Sequence, residues 1–426
     1  MTALQRARQA PTASPVSDLA ADLIGREKQF GARNYDPLPV VLTRGEGSWL
    51  IDVDGRRYLD LMSAYSAVSF GHAHPRIIAT LIAQAQSLGV TSRAYYNDEL
   101  PLLLERLARL TGMDRVLPAN GGAEAVETAI KGARKWAHKI KGVPEGQAEI
   151  IACAGNFHGR TITACGLSTE PQYRDGFGPF PPGLLTVPFG DAAALAKAIT
   201  PRTAAFLVEP IQGEAGIVPP PPGYLRECAA ICREHRVLFI ADEIQTGLGR
   251  TGKFLACEHE GVKPDGVILG KALGGGLLPV SAFAATNDVM QVFTPGDHGS
   301  TFGGNPLAAA VAMTALDVLF DERLIERSAE LGPWLLERLA DLRAHDFVKD
   351  VRGRGLFIGI EVDPLVIGAR PVVDRLLARG ILSKDTHGTV IRIAPPLNIP
   401  REDLTWASGE IHAVFDDLAR DLKRAA

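Results

Sequence analysis

The sequence predicts an α/β protein: a large unit on a mostly parallel sheet with helices on both faces, joined to a smaller α+β lobe. Three observations carry this. Short apolar runs of strand length at 149–154, 185–189 and 204–209, with VLFIAD at 237–242 and VILG at 267–270, alternate with helix-like stretches. Runs this apolar suit strands buried on both faces, which is what a parallel sheet demands. From about Leu331 the character changes, and 426 residues exceed what one typical core holds.

Taken in order, Asp18–Phe30 has the pattern of a short helix leading into GARNYDPLPV, an extended segment punctuated by Pro37 and Pro39. GSWLIDVDGRRYLDLM reads as a hairpin turning at Asp54-Gly55. SAYSAVSFGHAHP follows as a loop of small residues around Tyr65. Its His72 and His74 lack a third ligand nearby, so a turn before a helix at Pro75 is the better reading than a metal site. Helical periodicity covers 75–88 and 97–111. RVLPANGG is then a short strand and a glycine pair feeding a long helix from Ala123 to about Lys141. Such a turn presents free N–H groups and the positive end of a helix dipole, although an ordinary βα turn looks the same.

The first three strands alternate with stretches such as 191–199 and end in GNFHGRT, which supplies Phe157, His158 and Arg160, and in EPIQGEAG, which supplies Glu209 and Glu214. VPPPPGY is a stiff link into a helix at 224–235. After Lys271 come a strand in VSAFAAT, the polar loop HGSTFGGNP and a helix at 306–319. Beyond Leu331 an amphipathic helix leads to VRGRGLFIGIEV, read as one strand. A helix at 371–379, TVIRIAPPLNI and a last helix at 403–423 complete the chain.

Composition excludes several classes. With 46% hydrophobic and 22% charged residues and a net charge of −4, nothing favours a nucleic acid or an acidic membrane surface. No apolar run is long enough to span a bilayer. The five cysteines form no CxxC, and Cys228 and Cys232 are spaced to share a helix face, which suits buried thiols in a reducing compartment. The first seventeen residues contain Arg6 and Arg8 and no acid; Pro11 and Pro15 make them a better match to a bacterial tail than to a transit peptide. A cytoplasmic location is expected.

The chemistry starts from two residues. VLFIAD and VILGK each place one polar residue where a buried strand should end, Asp242 and Lys271. In open α/β sheets, ligands sit at that edge. A carboxylate and an amine together suit a cofactor that bonds to lysine through an aldehyde and carries a protonated ring nitrogen, as pyridoxal phosphate does. Spacing alone leaves a structural Asp–Lys ion pair equally open.

ADEIQTGLGRTG followed by LGKALGGGLLPVSA resembles the class III, ornithine-type aminotransferases, and several further motifs extend the resemblance from about Lys28 to about Ile399. It implies an aspartate-aminotransferase-like fold, with 61–330 as the large cofactor domain, 331–426 as the small C-terminal domain and 1–60 contributing to that lobe. It also implies pyridoxal phosphate as cofactor, no metal, and a homodimer with shared sites, a higher oligomer being left open.

Residue by residue, the resemblance makes Lys271 the Schiff-base lysine and proton carrier and Asp242 the partner of the ring nitrogen. Gln245 would bond the phenolic oxygen, Phe157 would cover the ring, and the Gly122 and Ala123 amides would hold the phosphate. Gly121 stands where relatives carry Ser or Thr, so one hydroxyl contact is missing. Ser300 and Thr301 would reach the phosphate of the neighbouring subunit. Arg160 and Arg392 would bind carboxylates, Glu214 would pair with Arg392 until 2-oxoglutarate arrives, Tyr35 with Arg160 would hold ornithine's α-carboxylate, and Tyr65 would shape the pocket. The expected activity transfers the δ-amino group of L-ornithine to 2-oxoglutarate, giving glutamate and glutamate 5-semialdehyde. His158 stands where eukaryotic ornithine aminotransferases carry tryptophan, which keeps N-acetylornithine or another ω-amine open as donor. A cofactor-binding dimer without turnover is the alternative of another class.

Overall fold

The computed structural model describes residues 16–425; the arginine-bearing tail before Val16 lies outside the described residues. The centre is a seven-stranded sheet in the order Arg115–Ala119, Ser281–Ala285, Gly266–Leu269, Leu238–Asp242, Thr203–Val208, Glu149–Cys153, Leu184–Val187. Every neighbouring pair runs parallel except those made by Ser281–Ala285, which is antiparallel to both its neighbours. Alternate residues of the buried strands serve opposite layers. Ile150, Leu207, Ile240 and Ile268 pack with Ala125, Ala129 and Ala133 of the helix Gly122–Trp136. Phe206, Phe239, Ala241 and Val267 belong to the core on the other face, shared with the helix Pro306–Asp321.

Parallel pairing sets Asp242 opposite Ile268, so the strand ending in Asp242 lies beside the one that delivers Lys271. Two residues nearly thirty positions apart in sequence are thereby brought to one sheet edge by the shortest crossover the fold contains between them.

Two four-stranded sheets accompany the centre. Leu42–Glu46, Trp49–Asp52 and Arg57–Asp60 form an antiparallel meander, and Ile381–Leu382, from the far end of the chain, adds to Arg57–Asp60 in parallel. The expected hairpin is there, with Leu42–Glu46 as a strand the turn signals did not reveal. The second sheet has the order Val348–Gly353, Ile358–Val362, Val390–Ile393, Lys384–Thr386, all antiparallel.

VRGRGLFIGIEV is therefore two strands and not one. Its turn is enforced by Gly355, at φ 59°, where the chain presses onto another backbone: a Cβ there would sit 2.5 Å from the Thr251 carbonyl carbon. The helix Leu324–Ala340 starts before the change of character expected at Leu331 and runs through it, because its apolar stripe of Leu324, Leu331, Leu335 and Leu339 is continuous. The last helix is Arg401–Ala425.

The loop around Tyr65 has more structure than its small residues suggest. Ser63, Ala64, Tyr65 and Ser66 all take positive φ, between 42° and 76°, making one turn of left-handed helix. L-residues avoid this region, so the turn must be held from outside. Asp60 Oδ1 accepts from the N–H groups of Met62 and Ser63 at 2.8 Å, and the Ser63 hydroxyl donates to the Ala394 carbonyl at 2.6 Å. The wholly buried Arg250 donates to Ser69 Oγ at 2.8 Å and to the carbonyls of Leu356 and Pro395.

His72 and His74 each face one carboxylate, Asp60 at 2.8 Å and Glu322 at 2.9 Å, and serve as ties between segments. All five cysteines are free and buried, and burial pushes the Cys153 and Cys228 thiols up to about 12. Among the described residues, no helix is long and apolar enough to cross a membrane.

Candidate active site

At the edge where Leu238–Asp242 and Gly266–Leu269 end lies a cavity of about 190 Å³. Phe157, His158, Asp242, Gln245 and Lys271 line it, with Gly122 and Ala123 at one end. Lys271 opens a tight turn at φ 45° directly after its strand, which throws its side chain into the cavity. Desolvation lowers its amine to about 8; the Glu214 carboxylate opposes the shift and Arg392 adds to it.

Asp242 is buried and fixed on both oxygens. Oδ1 accepts from the Ile244 N–H at 3.1 Å, and Oδ2 lies 2.7 Å from Nδ1 of the buried His158. Burial alone would discharge that imidazole, but its hydrogen bond to Asp242 and the charge of the carboxylate outweigh burial and raise its pKa. His158 Nε2 is buried without a partner. Glu209, at the end of Thr203–Val208, accepts from Phe157 N at 3.0 Å and Gly213 N at 3.2 Å, tying the two substrate-side loops together. Burial, reinforced by Asp242 and opposed by His158, lifts its carboxyl to about 7.

Glu214, Gln245 and Arg392 form a closed triangle. Arg392 Nη1 donates to Glu214 Oε1 at 2.7 Å and Nη2 to Gln245 Oε1 at 2.8 Å, while Gln245 Nε2 donates to Glu214 Oε1 at 3.0 Å. Burial would push the Glu214 carboxyl up; the Arg392 charge, with Lys271 and the two hydrogen bonds, holds it below the usual range. The guanidinium of Arg392 is 0% exposed and lies 5.0 Å from the Tyr65 ring, which the left-handed turn presents to it. Burial raises the Tyr65 phenol, helped by Glu214.

Arg160 is placed otherwise. It lies over Tyr173, 3.6 Å from the ring centroid, and 5.4 Å from the ring of Phe157. No carboxylate of the described residues comes within 4.0 Å of it.

The structure thus places Lys271, Asp242, Gln245, Phe157, Gly122 and Ala123 around one cavity; Glu214 and Arg392 join it through Gln245, Tyr65 lies by Arg392, and Arg160 lies by Phe157. Tyr35 stands 79% exposed, on the Tyr65 side. Ser300 is not among the residues that line the cavity; its hydroxyl accepts from Asn120 Nδ2 of the same chain at 2.8 Å, and Thr301 is exposed. Glu209 carried a signal, an acid ending a buried strand, and received no role. Tyr173 carried none, being one aromatic in a polar four-residue helix.

The donor set suits an anionic, aldehyde-bearing ring. The helix Gly122–Trp136 leaves the N–H groups of its first turn, Gly122 and Ala123, without intrahelical acceptors. Gly159 packs against that turn, and a Cβ on it would lie 2.9 Å from Ala123 Cβ, closing the cradle. The same cavity holds an amine that can be neutral, Lys271, and a buried carboxylate, Asp242.

Comparison with known proteins agrees. The model of the family "Aminotransferase class-III" matches residues 30–415. Over 394 residues the chain is 56% identical to the ornithine aminotransferase of Bacillus subtilis, covering 92% of this chain and 97% of that one. A solved ornithine aminotransferase of Toxoplasma gondii, reported with pyridoxal phosphate partially occupying its active site, superposes with a TM-score of 0.94 at 44% identity, over 99% of this chain and 98% of that one. An acetylornithine aminotransferase of Elizabethkingia anophelis gives 0.84 at 46% identity, over 93% and 99%. The chain belongs to the class III aminotransferases, enzymes that work with pyridoxal phosphate.

Proposed function

We propose that the chain is an ornithine δ-aminotransferase. It moves the δ-amino group of L-ornithine to 2-oxoglutarate and releases glutamate and glutamate 5-semialdehyde, which closes to pyrroline-5-carboxylate. The observation that carries this reading is the 2.7 Å pair between Glu214 and the wholly buried Arg392. An ω-amine brings no carboxylate to the reacting carbon, and an α-amino acid does. A buried arginine left without an anion is strongly unfavourable. Glu214 supplies the anion while the ω-amine reacts and yields it when glutamate or 2-oxoglutarate arrives.

When bound, pyridoxal phosphate supplies the carbonyl that takes the amino group and a ring that spreads the electron pair left by proton loss. The chain does the rest. Gly122 and Ala123 would hold the phosphate, Phe157 would cover the ring, and Asp242, fixed by His158, would hold the ring nitrogen. The lowered Lys271 amine would take the proton from the substrate carbon and hold it for return. Arg160, with Tyr35, holds the α-carboxylate of ornithine at the far end, so the δ-amine reaches the centre.

The same reading takes the protein as a cytoplasmic homodimer. Ser300 and Thr301 of one subunit would meet the phosphate of its neighbour, and the 61–330 unit would carry the cofactor beside one small lobe made by 331–426 with the 1–60 segment. Ornithine, N-acetylornithine and other ω-amines, each offered with 2-oxoglutarate, test the donor by identification of the keto product. Turnover restricted to N-acetylornithine defeats the ornithine assignment. Sedimentation with bound-cofactor absorbance tests the assembly, and an active, cofactor-loaded monomer defeats the shared site.

A further inference from the structure

Tyr173 stands outside every role so far assigned. It belongs to the four-residue helix Pro171–Arg174, and three ties fix that helix to its surroundings. Arg174 Nη1 donates to the carbonyls of Cys165, Gly166 and Ser168 at 2.6 to 3.1 Å, and its guanidinium lies over Phe180 at 4.6 Å. Glu170 caps the helix at the Gln172 N–H and also faces His387 Nδ1, from the turn before Val390–Ile393, at 3.3 Å. The Tyr173 ring meets Phe157 edge-on at 6.0 Å and 80°. The result is a fixed aromatic plate beside the cavity.

On that plate lies Arg160, 3.6 Å from the ring centroid, nearer than any other cation–aromatic pair described here. A guanidinium stacked on a face keeps all its in-plane N–H donors for other partners. A carboxylate partner would fix the arginine equally well but would also occupy those donors, as Glu214 does for Arg392. We propose that Tyr173 is a specificity-determining positioning residue: its ring holds Arg160 flat and unspent, so that the arginine receives the distal carboxylate of the amine substrate in a two-point contact. This rests on the reading of Arg160 as the carboxylate binder. The phenol plays no part, since burial raises its pKa against the Arg160 charge and leaves a neutral ring as the working surface.

The test uses cofactor-loaded protein with Tyr173→Leu and Tyr173→Phe. The amine half-reaction, followed by the visible absorbance of the bound cofactor, compares ornithine and 5-aminopentanoate with 1,4-diaminobutane, which has no carboxylate. Tyr173→Leu should lower the preference for either carboxylate substrate over the diamine roughly fivefold to thirtyfold, the span of a partly desolvated cation–π contact, and Tyr173→Phe should restore it. Calorimetric binding of pentanoate, which has no amine to react, should weaken and recover in parallel. An unchanged preference in Tyr173→Leu, or a Phe variant as poor as the Leu variant, overturns the proposal. If the wild type refuses ornithine, the donor assignment fails; pentanoate binding and the 5-aminopentanoate comparison still decide the role of Tyr173.

Discussion

The two arginines of the site receive opposite treatment. Arg392 is wholly buried and already neutralised, by Glu214 at 2.7 Å, with Gln245 completing the ring of hydrogen bonds. Arg160 lies on an aromatic face, with no carboxylate of the described residues within 4.0 Å. On the function proposed above, the first must lose a partner before it accepts a ligand, so it answers to which substrate is present. The second is ready at all times, so it demands a carboxylate from every substrate that uses it. A pocket serving two substrates of different charge needs one end of each kind, and the protein makes the difference with a carboxylate at one and a tyrosine at the other.

Lys271 stands between these ends, and removing it should have the largest effect. Lys271→Ala should cost up to about 10⁴-fold in turnover, the upper range for a positioned proton carrier, while carboxylates still bind at both arginines. Turnover within tenfold of wild type would move the chemistry away from Lys271 and leave the two ends without a shared centre.

Glu209 ties the two ends together through Phe157 N and Gly213 N. Its carboxyl rises from an ordinary 4.5 to about 7 in the folded chain. The folded state therefore holds this proton more tightly than the unfolded one. The stabilisation is fully present below pH 4.5 and fades as pH rises through about 7. In cofactor-free protein this contributes about 3 kcal/mol of decline across that window, and Glu209→Gln should flatten it. Denaturation midpoints at several pH values decide; equal slopes in both proteins would show that Glu209 is not the titrating group.

Glu214→Ala should turn the switchable end into a permanently open one. Glutamate then gains, and ornithine is drawn in by its α-carboxylate, so δ-selectivity should fall by about thirtyfold, or about 2 kcal/mol. Product analysis showing pure δ-transfer at unchanged glutamate rates would make Glu214 an ordinary structural acid. The smallest effect belongs to the other end. Arg160→Lys keeps the charge but loses the planar fork and its stacking, and should weaken 5-aminopentanoate by about tenfold, while the Glu214 carboxylate on Arg392 keeps δ-transfer the main reaction of ornithine. A change of regiochemistry there would mean that the two ends are not independent.

How much of this the sequence disclosed depends on distance along the chain. Asp242 and Lys271 are legible because each ends a wholly apolar strand, and one parallel step between neighbouring strands joins them. Glu214 and Arg392 are 178 residues apart, in two different parts of the fold, and no local pattern announces their meeting; only the family resemblance linked them. VRGRGLFIGIEV concealed a turn because the glycines that make it, at 353 and 355, lie inside a stretch short enough to read as one strand. Tyr173 became informative only once its ring was seen under a cation. Ser63–Ser66 is the opposite case: nothing in four ordinary L-residues predicts a left-handed turn, because its cause is Asp60, Arg250 and the Ala394 carbonyl, all outside it.

That turn has a consequence for how the protein tolerates change. Left-handed geometry costs about 1–2 kcal/mol for each L-residue, so the unsubstituted chain carries a standing energetic debt at the wall of its pocket. Ala64→Gly would relieve part of it and is among the few glycine substitutions expected to raise the melting temperature. The same relief would let Tyr65 leave its place 5.0 Å from Arg392, and discrimination between the two substrates would decay in an enzyme made more robust. Thermal stability and substrate discrimination therefore pull on residue 64 in opposite directions.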